Sequence, residues 1–276
     1  MTSVHIHASE ATEAPASGSF WTSPTFRKIA MLLFIGLIWE GYGRWLNNDL
    51  IFPTLLQTLQ SLVEGTLSGV IPQRAAYSLV VLLQGYAAGV GFAMVLAGFA
   101  ATTRIGSDLL DLLTALFNPL PAIALLPLAL MWFGLGNGSL VFVLVHSVMW
   151  PMALNAHSGF RAVSPTLRMV GHNYGLRGLR YTAKILIPAA FPSLLAGLKI
   201  GWAFAWRTLI AAELVFGVSS GSGGLGWFIY ERKNQLDISS VFAGLLTVVL
   251  IGLVVEGILF RWVENRTVRR WGMQAM

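Results

Sequence analysis

The chain is expected to fold as an all-α integral membrane protein with six transmembrane helices. Three observations point there. Of its 276 residues, 55% are hydrophobic and only 11% are charged, with a mean hydropathy of +0.69; a soluble domain carries roughly 25% charged residues. Six mostly apolar stretches come close to, or exceed, the ~20 residues that cross a hydrocarbon core. The cationic residues cluster beside those stretches, as orientation and lipid headgroups require.

The elements follow in order. Residues 1–26 are small, polar and proline-containing, cannot bury enough apolar surface to fold alone, and are expected to form a disordered cytoplasmic tail. They lack the basic and apolar regions of a cleaved signal, and His5 and His7 alone are weak evidence for a metal. The spans are expected at residues 29–45, 78–100, 109–133, 139–160, 189–217 and 241–263. Pro119, Pro121 and Pro127 fall inside the third. Each removes a backbone donor and clashes with the preceding turn, so Pro119 and Pro121 are expected to break or kink it near its middle. Irregular backbone at membrane depth survives only where protein or a watery cavity covers it; packing alone could also require such a kink. Between the first two spans, Leu55, Leu56, Leu59, Leu62 and Val63 follow Pro53 at helical spacing, which predicts a short amphipathic surface helix.

Orientation follows from the Lys and Arg distribution. With the N-terminus inside, the inner segments hold twelve cations and the outer segments three (Arg74, Arg232 and Lys233). Both termini are therefore expected in the cytoplasm, with residues 264–276 as a basic C-terminal tail. The net charge of +6 is accounted for by these flanks rather than by nucleic acid. Cysteine is absent, which excludes disulfides and thiolate metal sites.

Several motifs carry no chemistry. Gly221, Gly223 and Gly226 fit G-x-G-x-x-G, yet they follow a membrane span rather than a strand; they are read as a sharp turn. No phosphate-binding Walker sequence is present. His146, His157 and His172 lack paired acids, so no catalytic or metal constellation is expected. Gly85 with Gly89, and Gly197 with Gly201, form G-x-x-x-G pairs that permit close helix contact, within the chain or across a dimer.

The most informative segment is the loop at residues 160–189. It holds five of the eighteen Lys and Arg residues (Arg161, Arg168, Arg177, Arg180 and Lys184) and no acid. Ser164-Pro165 reads as a helix start, Gly175 as a sharp turn and Pro188 as the end of a second helical piece. The chain thus predicts a short helix–turn–helix along the membrane face.

This pattern resembles the cytoplasmic signature of permease subunits of ABC importers: Glu-Ala-Ala, three residues, Gly, nine residues, Ile, one residue, Leu-Pro. Gly175 fits the glycine, Ile185 the isoleucine, and Ile187-Pro188 stands for Leu-Pro. Met169, Val170 and Gly171 occupy the Glu-Ala-Ala positions, so that part is missing. Further matches are similar to the nitrate/sulfonate/taurine branch: Pro119-Leu120-Pro121, Leu126-Pro127-Leu128, Trp132-Phe133-Gly134-Leu135-Gly136, Pro188-Ala189-Ala190-Phe191-Pro192, Gly197-Leu198-Lys199, Ala212-Glu213, Gly224-Leu225-Gly226 and Asp237. They cover about residues 78–261.

The resemblance implies the type I ABC importer permease fold, a permease domain at residues 27–263, and a coupling segment at 161–188 between the fourth and fifth spans. It implies contacts to cytoplasmic ATPase subunits through Met169, Val170, Gly171, Gly175, Leu176, Arg177, Ile185 and Pro188. A periplasmic binding protein, a second permease copy and the bacterial inner membrane are implied as well. ATP and Mg²⁺ would be held by the ATPase, leaving no cofactor in this chain. The cargo of this branch is a small organic or inorganic anion. Ionisable residues within spans are pathway candidates, and Pro121, Trp206, Arg207 and Glu213 are the expected set. Arg207 and Glu213 are six residues apart, about 600° of helical turn, and so are not expected to pair. An ion pair of Arg207 with Glu40 or Glu256 is the competing reading. At the level of the whole chain, the competing readings are a secondary transporter or channel without an ATPase, and an intramembrane enzyme.

Overall fold

The computed structural model describes residues 24–216 and 223–270. The N-terminal segment to residue 23 with His5 and His7, Gly217, Gly221, and residues 271–276 of the expected C-terminal tail lie outside the described residues. The described residues are helical, without strands. Five helices are long and apolar enough to cross a membrane, and a sixth span results if one sharply bent pair is counted together.

The first span is α1 (Pro24–Leu46). It is exposed along most of its length, with Leu32 69% and Leu37 71% accessible, which suits a lipid-facing helix. The expected surface helix is α2 (Leu55–Leu67). Its start is a reciprocal cap: the Thr54 hydroxyl accepts from the Gln57 N–H (3.2 Å) and the Thr54 N–H donates to Gln57 Oε1 (2.8 Å). Such a box satisfies two donors that a helix start leaves open. Glu40 of α1 accepts from the Leu56 N–H (3.0 Å) and from Arg44 (2.7 Å), pinning α1 to the start of α2.

The second span, α3 (Val70–Thr102), starts eight residues earlier than its apolar core at residues 78–100. The extra turns carry the polar residues Gln73 and Arg74. The third span is broken as Pro119 and Pro121 predict. Its halves are α4 (Arg104–Phe117) and, after a 3₁₀ turn at Ala122–Leu125, α5 (Leu126–Phe133). They meet at 85°, and Pro127 falls in the first turn of α5, where a missing N–H costs least.

The fourth span, α6 (Asn137–Ala162), is central and packs on α3 and on α10 (Phe191–Phe216), the fifth span. Both glycine pairs serve this packing inside one chain. A methyl on Gly85 would collide with Leu144, and one on Gly89 would lie 2.8 Å from Val148 Cβ. Further along the same stripe of α6, a methyl on Gly197 would meet Asn155 Cβ and Met152 Sδ at 2.9 Å, and one on Gly201 would meet Val148 Cγ1 at 3.3 Å. Small residues thus let the three helices approach backbone to backbone.

Between the fourth and fifth spans lie α7 (Pro165–Asn173), α8 (Gly178–Tyr181), a π-helical stretch at Thr182–Leu186 and the short turn α9 (Ile187–Ala189). After α10 come α11 (Leu225–Asn234) and the sixth span, α12 (Ile238–Val254), which continues through a π-helical Val255–Phe260 into α13 (Arg261–Arg266). Asp237 caps α12 by accepting from the Ser240 N–H (3.2 Å).

Candidate functional site

Two places gather the chemistry: an elbow between the fourth and fifth spans, and a cavity at the break in the third.

The elbow is built by local rules. The Ser164 hydroxyl accepts from the Leu167 N–H (3.4 Å) and Pro165 opens α7. At the far end Gly175 takes a left-handed conformation, φ +70°. Its N–H donates to the His172 carbonyl (2.9 Å), and the Leu176 N–H donates to the Gly171 carbonyl (3.0 Å). This pair of bonds is a Schellman stop, which favours glycine at its left-handed position. Gly178 turns the chain again at φ +54°. The second arm then folds back on the first. The His172 and Tyr181 rings stack at 4.9 Å and 10°, and a methyl on Gly171 would lie 2.9 Å from Tyr181 Cε2 and 3.1 Å from Ile185 Cγ1. Where the family signature has alanine, this chain carries glycine because an aromatic ring lies on that position. Arg168 fastens the elbow to the fourth span: its guanidinium donates to the Phe160 carbonyl (2.5 Å) and the Val163 carbonyl (3.1 Å) at the end of α6. Met169, Val170, Gly175, Arg177 and Pro188 are exposed, Leu176 and Ile185 half-buried, and Gly171 buried.

The cavity, about 380 Å³, is walled by the broken third span at residues 118–123, by His146, Ser147, Trp150 and Pro151 of α6, and by Phe204, Arg207, Thr208 and Ala211 of α10. Pro121 and Arg207, two of the four expected pathway residues, face the same space. Arg207 is exposed, donates through Nε to the Ala203 carbonyl (2.9 Å), and lies over the Phe204 ring at 5.1 Å. It forms no ion pair among the described residues. Glu40 is occupied by Arg44 and the Leu56 N–H, and Glu256 lies exposed on the sixth span. The hydroxyls of Ser147 and Thr208 meet at 3.1 Å across α6 and α10. The Trp150 N–H and both ring nitrogens of His146 are buried without a partner among the described residues. Each unmet buried donor costs roughly 1–3 kcal/mol.

The other two expected residues lie elsewhere. Trp206 is 6% exposed and donates its indole N–H to the Val248 carbonyl (3.2 Å), joining α10 to α12. Glu213 is 2% exposed. Its carboxylate accepts from Ser78 Oγ (2.9 Å) and from the Gly226 N–H (2.8 Å), while Ser78 Oγ also accepts from the Leu225 N–H (2.9 Å). A side chain at Gly224 would strike both Ser78 and Glu213, and a methyl on Gly226 would lie 2.6 Å from Glu213 Cβ. Gly224 and Gly226 of the GSGGLG run therefore form a clasp around a carboxylate. Nearby, Arg74 donates to the Gly223 carbonyl (2.9 Å) and pairs with Glu231 (3.2 Å). Sequence reasoning missed His146, Ser147, Trp150 and Thr208 at the cavity. The available signal was the pair His146-Ser147, polar groups set inside an otherwise apolar span.

Comparison with known proteins agrees with this architecture. The family of binding-protein-dependent transport system inner membrane components matches residues 89–269. A putative ABC transporter permease of Methanocaldococcus jannaschii is 30% identical, covering 87% of this chain and 90% of its own. The taurine transport system permease of Escherichia coli is 26% identical over 86% and 88%. The nitrate import permease of a Synechocystis species is 32% identical over 60% and 62%. With six helical spans and an elbow between the fourth and fifth, the chain belongs to the binding-protein-dependent inner membrane component family, and it is an ABC importer permease subunit and not an enzyme.

Proposed function

We propose that two copies of this chain form the pathway of an ATP-driven importer for a small organic or inorganic anion (a sulfonate, taurine, nitrate or a relative of these) handed over by a periplasmic binding protein. Both termini lie in the cytoplasm, with residues 1–26 and 264–276 as tails and 27–263 as the membrane domain. ATPase subunits, which hold ATP and Mg²⁺, grip the elbow at 161–188 through Met169, Val170, Gly171, Gly175, Leu176, Arg177, Ile185 and Pro188. Closure of the ATPases displaces the elbow, and the spans follow as near-rigid bodies between inward- and outward-facing states.

One observation carries the anionic cargo: Arg207, a permanent cation without an ion pair among the described residues, stands on the wall of a cavity opened by the break in the third span. The names of the relatives, which include taurine and nitrate permeases, support the same class. Proteoliposomes holding the permease, its ATPase and its binding protein test the reading. ATP-dependent anion uptake that collapses in Arg207→Ala is expected. Equal uptake without the ATPase would instead make the chain a secondary transporter or channel.

A further inference from the structure

We propose that a second cavity, at the foot of α3, α4 and α6, is a phosphate site filled by the headgroup of an anionic phospholipid of the cytoplasmic leaflet. It lies apart from the cavity at the break and rests only on the cytoplasmic placement of the elbow given above.

This cavity, about 280 Å³, is lined by the corner between α3 and α4 at residues 100–104, by Ser107, by Phe160 and Arg161 at the end of α6, and by Arg168 of α7. Three guanidinium groups thus reach one space from three elements. No acid lines it, and Asp108 and Asp111 of α4 form no ion pair with these arginines among the described residues. Arg104 and Arg161 are exposed, and their guanidinium groups bond to nothing among the described residues. Arg168 is half-buried and spends two N–H groups on the Phe160 and Val163 carbonyls. Three of its five N–H groups remain. The hydroxyls contribute less. Thr102 and Thr103 each donate to the Phe99 carbonyl (3.1 Å), and Ser107 meets His157 Nε2 at 3.3 Å. Recognition therefore falls to the arginines, whose planar forks match phosphate oxygens.

The location favours a phosphate carried by lipid. Arg104 directly follows the second span and Arg161 ends the fourth, which sets both level with the inner headgroups. Anionic lipids make that leaflet negative, and basic pockets between membrane helices on that side take lipid headgroups. Next to the site, α4 carries Ile105, Leu109, Leu112 and Leu116 exposed along one stripe, a surface for hydrocarbon beside the headgroup position. The volume is below the roughly 300–1,000 Å³ of drug-sized sites, which suits a headgroup rather than a whole organic ligand. A bound phosphate would bridge the foot of the broken third span to the elbow, two parts that share no hydrogen bond among the described residues.

The purified permease–ATPase complex in detergent, titrated with phosphatidylglycerol, phosphatidylcholine or inorganic phosphate and read by native mass spectrometry and melting temperature, tests the site. Phosphatidylglycerol is expected to bind at least about tenfold more tightly than phosphatidylcholine, and Arg104→Gln combined with Arg161→Gln should weaken it roughly tenfold or more. Both arginines are exposed and unbonded, so this double variant is expected to keep its melting temperature in lipid-free detergent. Removing two other cations of the inner face, Arg27→Gln with Lys28→Gln, should leave phosphatidylglycerol binding unchanged. An equal loss in both double variants, or no preference between the lipids, overturns the site. Stabilisation by inorganic phosphate equal to that by phosphatidylglycerol moves the source from membrane to solution and overturns the lipid assignment. Unchanged lipid binding with release of the ATPase from the Arg104 and Arg161 variant gives these arginines to the ATPase and overturns the site as well. ATP-driven anion uptake by the wild-type assembly is read separately, so the permease reading stands or falls on its own.

Discussion

Arg207 and Glu213 lie less than two turns apart on α10 and live in opposite surroundings. Arg207 is exposed on a cavity wall and forms no ion pair among the described residues. Glu213 is enclosed, with Ser78 and the Gly226 N–H as donors. Hydropathy treats both as charges in a span, and the default reading of such charges is functional. The difference lies in hydrogen-bond satisfaction. A buried carboxylate with its acceptors filled is a fastener, whereas a cation whose donors remain open is available to a ligand. The contrast predicts that disturbing the first should damage assembly, and disturbing the second should damage transport alone.

The largest effect is expected at the clasp. Gly226→Val forces side-chain atoms against the Glu213 Cβ and the Ile210 carbonyl, both 2.6 Å from the first added carbon, and should abolish the folded assembly in fluorescence-detected size exclusion. Glu213→Ala strands the Gly226 N–H and Ser78, at a cost of about 2–4 kcal/mol, visible as a marked drop in melting temperature in detergent. A Glu213→Ala protein with normal stability and lost transport would move this residue into the pathway and erase the contrast. Arg207→Ala should keep the wild-type melting temperature and lose most anion uptake; Arg207→Lys should keep part of it, since the charge remains and the planar fork is lost.

The elbow gives the next effect. Gly171→Leu cannot fit beneath Tyr181 and Ile185, so the arms should part and ATP hydrolysis should run without substrate stimulation. Gly175→Pro, which cannot adopt φ +70°, should do the same. The smallest change is expected for Ser164→Ala. Its cap bond is long at 3.4 Å, so the loss should stay at or below about 1 kcal/mol and barely alter uptake.

The legible parts of the fold were those set by local chemistry. Apolar length marked the spans, proline placed the break between α4 and α5, and Gly175 marked the turn because a left-handed residue is needed to end α7. The unreadable parts depend on partners far away in sequence. Ser78 and Glu213 are 135 positions apart, and nothing near either announces the other. The cavity wall is similar: Pro121 and Arg207 stood out as a break and a charge, whereas His146 and Trp150 resemble ordinary packing residues until α6 is set beside the break. Gly171 looked like a defect in the family signature, and only the Tyr181 ring above it explains the residue.

The glycine teeth that seat α3 and α10 against α6 have a mechanical consequence. α6 carries Pro151 in its interior, where one backbone hydrogen bond is missing, and the close seating of α3 and α10 supports the helix around that point. Arg168 grips its lower end, and Trp150 stands ten residues higher, about 15 Å along the axis. The Arg168 tie thus joins the elbow to the same helix that carries Trp150 in the cavity wall, so a displaced foot and an altered wall are two ends of one element.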